Sequence, residues 1–166
     1  SLRDKAILLL GFSGGFRRSE LVSLEKSDLE FVSEGLKITL RKSKSDQYGE
    51  GLVKGIPYFK NTKYCPVIAV QEWISSSDKI GETKLFPCSD KTVALIVKKY
   101  LGLIGMDSNQ YSAHSLRSGF ATSTAASGAD ERSIMAMTGH KSTEMVRRYI
   151  KEANLFKNNA LNKLNI

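Results

Sequence analysis

His114-Ser115-Leu116-Arg117, then Thr138-Gly139-His140-Lys141-Ser142, then Arg147-Arg148-Tyr149 form the stretch on which the reading of this chain turns. His114 and Arg117 stand three apart in a segment patterned as a helix, Ser112 to Ser127, and so share one face. His140 follows a glycine in a turn between two helical segments, a place from which a side chain can face a ligand. Tyr149 comes nine residues later, on the next helix or its end. Upstream, Gly15-Phe16-Arg17-Arg18-Ser19-Glu20-Leu21 adds another arginine at the start of a short helix, beside N–H groups that favour an anion. Glu20 lies within helical side-chain reach of Arg17, either to orient it or as an ordinary surface pair. Between these regions, Lys42-Ser43-Lys44-Ser45-Asp46-Gln47 places Lys44 near the tip of an expected hairpin, with Lys42 as a rival for the same role.

Arg17, Lys44, His114, Arg117, His140 and Tyr149 together suit one kind of chemistry. Displacement at a phosphodiester builds negative charge on the equatorial oxygens, which fixed cations and hydrogen-bond donors can hold. The planar fork of arginine meets two phosphate oxygens at once. A histidine can pass protons, and a flexible lysine can protonate a leaving oxygen. A phenol, with an ordinary pKa near 10, becomes a nucleophile when cations lower that value or a base takes its proton. The sequence offers no acidic cluster to hold Mg²⁺ and no glycine-rich phosphate loop before a lysine, so a metal-free, cofactor-free route fits better. Taken singly, each residue has a plainer reading: a solvated arginine or loop lysine, a capping histidine, a tyrosine packed by its ring.

Their joint order resembles the catalytic domain of the tyrosine recombinase (phage integrase) family over nearly the whole chain. The shared features are G-[LF]-R-x-S-E-L, an S-K-[ST]-D-Q hairpin, H-x-L-R, G-H-x-S and a tyrosine nine residues past that histidine. The resemblance implies that Arg17 and Arg117 clamp the phosphate and that Lys44 protonates the leaving 5′ oxygen. It further implies that His114 assists proton transfer, His140 binds the phosphate and Tyr149 attacks it, with Glu20 in support. The implied product is a 3′-phosphotyrosyl link with a free 5′ hydroxyl, resealed by attack of a second 5′ hydroxyl without ATP. Double-stranded DNA is the implied partner, with four protomers acting in pairs on two DNA segments and the free fragment monomeric. The implied setting is the cytoplasm, in a protein of bacterial, phage or mobile-element origin. Type IB topoisomerases use the same chemistry but often carry lysine where His114 stands. A non-catalytic DNA-binding module that kept the fold is the alternative from a different class.

Bulk properties agree with a nucleic-acid partner. Lys plus Arg number 25 against 17 for Asp plus Glu, a net charge of +8, and such a surplus attracts polyanions. The 166 residues suit one domain, with 41% hydrophobic and 25% charged residues. Cys65 and Cys88 are too few for a zinc cluster or a disulfide framework and point to a reducing compartment. The longest apolar run, Ala6 to Leu10, is far too short to span a membrane. The charged first residues argue against a signal peptide. Residues 1–166 are expected to be an excised catalytic domain that lacks the N-terminal DNA-clamping domain usual in the family.

Patterning predicts an α+β fold, mostly helical, with a small antiparallel sheet near the N-terminus. Helices are expected over Ser1 to Phe12, Arg18 to Leu24, Pro66 to Ile74, Asp90 to Leu103, Ser112 to Ser127, Asp130 to Met137 and Thr143 to Ile150. Strands are expected over Leu36 to Leu40 and Leu52 to Tyr58, joined by a mobile tip over Arg41 to Gly51. Leu155, Phe156, Leu161 and Leu164 in the final segment suit docking on a neighbouring protomer or packing on the same subunit.

Overall fold

The computed structural model describes residues 1–41, 51–77, 81–111, 114–140, 142–157 and 159–164. Lys44 and its rival Lys42 lie outside the described residues.

The chain opens with α1 (Leu2–Ser13), whose N-cap Ser1 accepts a hydrogen bond from the Asp4 amide. That hydroxyl satisfies one of the donors a helix start leaves unpaired. Ala6, Ile7 and Leu10 turn into the core. Gly14 and Gly15 end the helix, and α2 (Arg18–Ser23) follows at once. Three strands, β1 (Leu29–Val32), β2 (Gly35–Leu40) and β3 (Leu52–Pro57), form an antiparallel sheet in the order β1-β2-β3. Helices α3 (Pro66–Ser77), α4 (Asp90–Leu103), α5 (Ser115–Ala126), α6 (Glu131–Thr138) and α7 (Thr143–Asn154) follow.

Two apolar clusters divide the interior. The larger joins Ile7, Leu10, Phe16 and Leu21 to Leu36, Ile38 and Ile56 of the sheet and to Val67, Val70, Phe86 and Val93. The smaller gathers Ala121, Ala125, Ile134 and Val146, with Tyr149 and Ile150 packed at its margin. Helix α5 bridges them, packing on α1 on one side and on α6 and α7 on the other. The segment between α1 and α2 faces this bridge: a Cβ on Gly15 would lie 2.9 Å from Phe120 Cδ1.

The architecture is the expected mostly helical α+β fold with a small sheet, and three details differ from the sequence-based expectation. Strand β1 was not expected. It pairs with β2 from Leu29↔Ile38 to Val32↔Gly35, which leaves Ser33-Glu34 as a two-residue turn. That turn lacks the Asn-Gly or Asp-Gly signature by which such hairpins are recognised. Helix α5 begins at Ser115, with His114 as its N-cap, rather than at Ser112. His114 therefore stands at the helix mouth instead of inside the first turn. Helices α3 and α7 run past their expected ends, to Ser77 and Asn154, because neither sequence carries a glycine or proline where the apolar pattern fades.

Candidate active site

The site grows out of the turn Gly14-Gly15-Phe16-Arg17. Gly15 has φ +57°, a left-handed conformation that costs a residue with a Cβ but not glycine. The turn delivers Arg17 to the N-cap of α2, with extended backbone at φ −71°, ψ 151°. Glu20, three residues on, reaches back twice. Its Oε2 accepts the Arg17 amide at 2.7 Å, and its Oε1 accepts Arg17 Nη1 at 2.7 Å. The carboxylate thus caps the helix start and holds the guanidinium, half-exposed, in one orientation. Glu20 is thus paired with Arg17 through both carboxylate oxygens.

Arg117 enters from α5 and is almost fully enclosed, with 5% of its surface exposed. Its Nη1 donates to the Gly15 carbonyl at 3.3 Å and lies 4.0 Å from Glu20 Oε2. Among the described residues its buried Nη2 meets no acceptor. A buried guanidinium nitrogen without a partner carries a desolvation cost that a bound anion would relieve. Burial, followed by the charge of Arg17, pushes the Arg117 pKa down to about 10, while Glu20 and Tyr149 oppose the shift.

His140 reaches the same place from α6. Gly139 closes that helix at φ +66°, with its amide donating to Met135 O, and this left-handed cap turns the chain so that His140 faces the arginines. His140 Nδ1 lies 2.7 Å from the hydroxyl of buried Thr138. Thr138 Oγ1 already donates its proton to the Ile134 carbonyl at 3.0 Å, so it accepts from Nδ1–H and leaves Nε2 as the outward nitrogen. Burial first, then the charges of Arg117 and Arg17, lowers the His140 pKa to about 4, with Glu20 opposing. Tyr149 sits half-buried on α7, and its phenol lies within electrostatic range of Arg117.

Arg17, Glu20, Arg117, His140 and Tyr149 are therefore one neighbourhood, assembled from α2, α5, the end of α6 and α7. His114 stands exposed at the mouth of α5, where its carbonyl accepts the Ser118 amide at 2.8 Å. Two further residues belong to the neighbourhood although the motifs did not single them out. One is Thr138, which fixes the His140 ring. The other is Lys54 of β3, whose charge is felt alongside those of Glu20, Arg117 and Arg17. Among the described residues no group of three His, Cys, Asp or Glu side chains is placed to share a metal ion. No helix there is long and apolar enough to cross a membrane.

Residues 1–155 match the family model described as the phage integrase family. The chain belongs to the phage integrase family. Among its relatives is an integrase/recombinase XerD homologue from Selenomonas ruminantium, 45% identical over 98% of this chain and 51% of that protein. The tyrosine recombinase XerA of Pyrococcus horikoshii is 31% identical over 91% of this chain and 51% of its own length. The chain thus spans about half the length of the curated relatives it matches. In three dimensions it resembles the crystal structure of XerA recombinase, with a TM-score of 0.74 at 21% identity, covering 100% of this chain and 58% of that one. It also resembles the XerH site-specific recombinase bound to its palindromic difH substrate in a post-cleavage complex, with a TM-score of 0.70 at 17% identity, over 95% of this chain and 46% of that one. Both structural likenesses are likenesses of fold.

Proposed function

We propose that this chain is the catalytic domain of a site-specific DNA recombinase that cleaves and reseals double-stranded DNA through a tyrosyl–phosphate bond. The observation that carries the reading is the enclosed Arg117, whose Nη2 meets no acceptor among the described residues, set beside Arg17 and His140 and within electrostatic range of Tyr149. A diester phosphate supplies the acceptor, and its non-bridging oxygens meet the two guanidinium groups.

The chemistry follows from this placement. The Tyr149 phenol gives up its proton, with His114 assisting, as its oxygen attacks the scissile phosphorus. The P–O5′ bond breaks, a 3′-phosphotyrosyl link forms, and the leaving 5′ oxygen takes a proton. Arg17 and Arg117 hold the charge that builds on the phosphate, and Glu20 keeps Arg17 aimed. His140 meets a non-bridging oxygen through Nε2, and a proton there turns that nitrogen into a donor. Lys44 is assigned the proton for the leaving oxygen and His114 the assistance of proton transfer, both on the strength of their motifs. In the second step a 5′ hydroxyl attacks the phosphotyrosyl link and releases Tyr149, so the energy of the bond is kept. The net charge of +8 fits a DNA partner. Assembly as a tetramer on two DNA segments and a cytoplasmic setting complete the proposal, with the other half of the relatives' length supplying the rest of the DNA clamp.

The test is covalent capture. The full-length protein is incubated with a random-sequence pool of nicked duplexes, in which the cleaved strand loses its short 5′-hydroxyl end and cannot be resealed. Trapped protein–DNA adducts are recovered and sequenced. The wild-type protein is expected to form the adduct and to exchange strands between captured sites. Tyr149→Phe is expected to bind the same DNA with nearly unchanged affinity and form no adduct, because only the attacking hydroxyl is lost. An adduct on Tyr149→Phe would move the nucleophile elsewhere. Supercoil relaxation without strand exchange would make the protein topoisomerase-like, and DNA binding without any adduct would leave a non-catalytic module.

A further inference from the structure

Lys54 occupies a position that the pattern of its own strand reserves for an apolar residue. In β3 the inward-facing positions are Leu52, Lys54 and Ile56, while Val53, Gly55 and Pro57 face out. Across the ladder Ile56 pairs with Leu36 and Lys54 with Ile38, both apolar partners being fully buried. Lys54 itself is only 1% exposed. Its ammonium shares this interior with the positive charges of Arg117 from α5 and Arg17 at the start of α2, and Glu20 of α2 is the carboxylate that offsets them. Burying an ammonium near two guanidinium groups opposes folding, and an apolar side chain in the same slot would pack without that cost.

The contacts of Lys54 show what it holds. Its Nζ donates to the Gly14 carbonyl at 2.8 Å and lies 4.1 Å from the centroid of the Phe16 ring. Both contacts are on the turn that carries Arg17. Arg117 Nη1 holds the carbonyl of the residue between them, Gly15. The turn is thus gripped at three successive residues by two cations from separate elements, and both phosphate-facing arginines depend on where it lies.

We infer that Lys54 is a positioning residue for the cleavage reaction, fixing the Gly14–Phe16 turn so that Arg17 and Arg117 meet the phosphate together. The inference rests on the recombinase reading of the site. It explains why a charge is kept in an apolar slot: only a buried donor with a long stem spans from the sheet to that carbonyl, and its positive end suits the ring face beside it. Burial pushes its pKa down to about 8 against the pull of Glu20, in keeping with an ammonium enclosed among cations rather than paired on a surface.

The test compares wild-type, Lys54→Met, Lys54→Gln and Lys54→Arg full-length proteins in single-turnover cleavage of a nicked duplex recovered by covalent capture on the wild type. Melting temperature, DNA Kd, the fraction of molecules that react and the rate constant of those that do are measured for each. Lys54→Met is expected to keep its fold and to bind DNA within about 3-fold of wild type. Its rate constant is expected to fall by about 10-fold or more, the scale on which small misplacements of positioned groups act. Lys54→Arg, which keeps a cation and a donor, is expected to recover most of that loss. A merely structural lysine would lower the melting temperature and the reacting fraction but leave the rate constant of the surviving molecules unchanged, and that result would overturn the inference. Lys54→Gln is read by the same two criteria, so the question is decided even if the methionine variant does not fold. If the wild type captures no duplex, the recombinase reading fails and the inference with it. If the wild type captures and the Lys54 variants react at its rate constant, the role of Lys54 alone fails.

Discussion

Thr138 and His140 show how a single hydroxyl can set the chemistry of a ring two residues away. Because Thr138 Oγ1 gives its proton to Ile134 O, it accepts from His140 Nδ1–H. The outward Nε2 is then a bare acceptor in the neutral ring, and a donor to phosphate only once His140 is protonated. Burial and the two arginines hold the pKa down to about 4 in the free protein. A phosphate between them offsets those charges and so raises it. If a phosphate binds there as proposed, its binding and proton uptake at His140 would be linked. In DNA-free protein, a ¹⁵N-edited NMR titration should find His140 neutral, as the Nδ1–H tautomer, from pH 8 down to about 5, and its midpoint should rise on addition of a captured duplex. Thr138→Val should lose the tautomer preference. For stability the sign is that of a depressed base. The contribution is complete above the ordinary value near 6.5 and is lost as pH falls from there toward about 4. A midpoint at or above 6.5 without DNA would contradict this account.

The α1–α2 turn and the β3 strand set the geometry on which those side chains rely. Gly15 combines φ +57° with close approach to Phe120 and, at 3.3 Å from a built Cβ, to Thr138 Cγ2. Gly15→Ala should therefore destabilise the protein by about 1–3 kcal/mol, the usual cost of strained backbone, measured as a urea-unfolding midpoint. It should also slow cleavage, since the Gly15 carbonyl anchors Arg117. Wild-type stability in that variant would mean the turn relaxes freely. Much of this machinery is legible in the chain itself. Gly14-Gly15 announce the turn before Arg17, Gly139 announces the end of α6, and the spacing to Tyr149 puts it on the following helix or its end. Lys54 was within reach of the same reading, because Leu52-Lys54-Ile56 alternates with exposed positions. Only the pairing Lys54↔Ile38 decides that this row faces inward, and pairing is a long-range fact that a strand's own residues do not contain. Thr138 was hidden because a threonine at a helix end has many uses, and the side-chain direction that selects one comes from packing. Strand β1 was hidden because Ser33-Glu34 closes its hairpin without a recognised turn pair.

Taken as a molecule, the domain is a basic body, and three of its cations gather where the proposed reaction would take place. Arg17, Lys54 and Arg117 come from three separate elements, and the carboxylate in electrostatic reach of all of them, Glu20, is already committed to Arg17 by two hydrogen bonds. In the proposed reaction, positive charge that other phosphoryl-transfer sites draw from Mg²⁺ would be carried by these side chains. Cleavage of a captured nicked duplex by the full-length protein should therefore proceed in EDTA at the rate seen in Mg²⁺, once ionic strength is matched. Binding should behave differently from the chemical step. Each phosphate neutralised releases counterions and contributes a slope of about −0.9 to log K against log salt, so a body with a surplus of 8 positive charges should lose affinity steeply between low and physiological salt. At saturating protein the single-turnover rate constant should change little over the same range, because Arg117 is buried and ions screen buried charge weakly. The two measurements separate the roles of surface and site. A rate constant that collapses in EDTA and returns with Mg²⁺ at unchanged DNA binding would show that the arginines do not suffice, and would reopen the assignment of every residue around Tyr149.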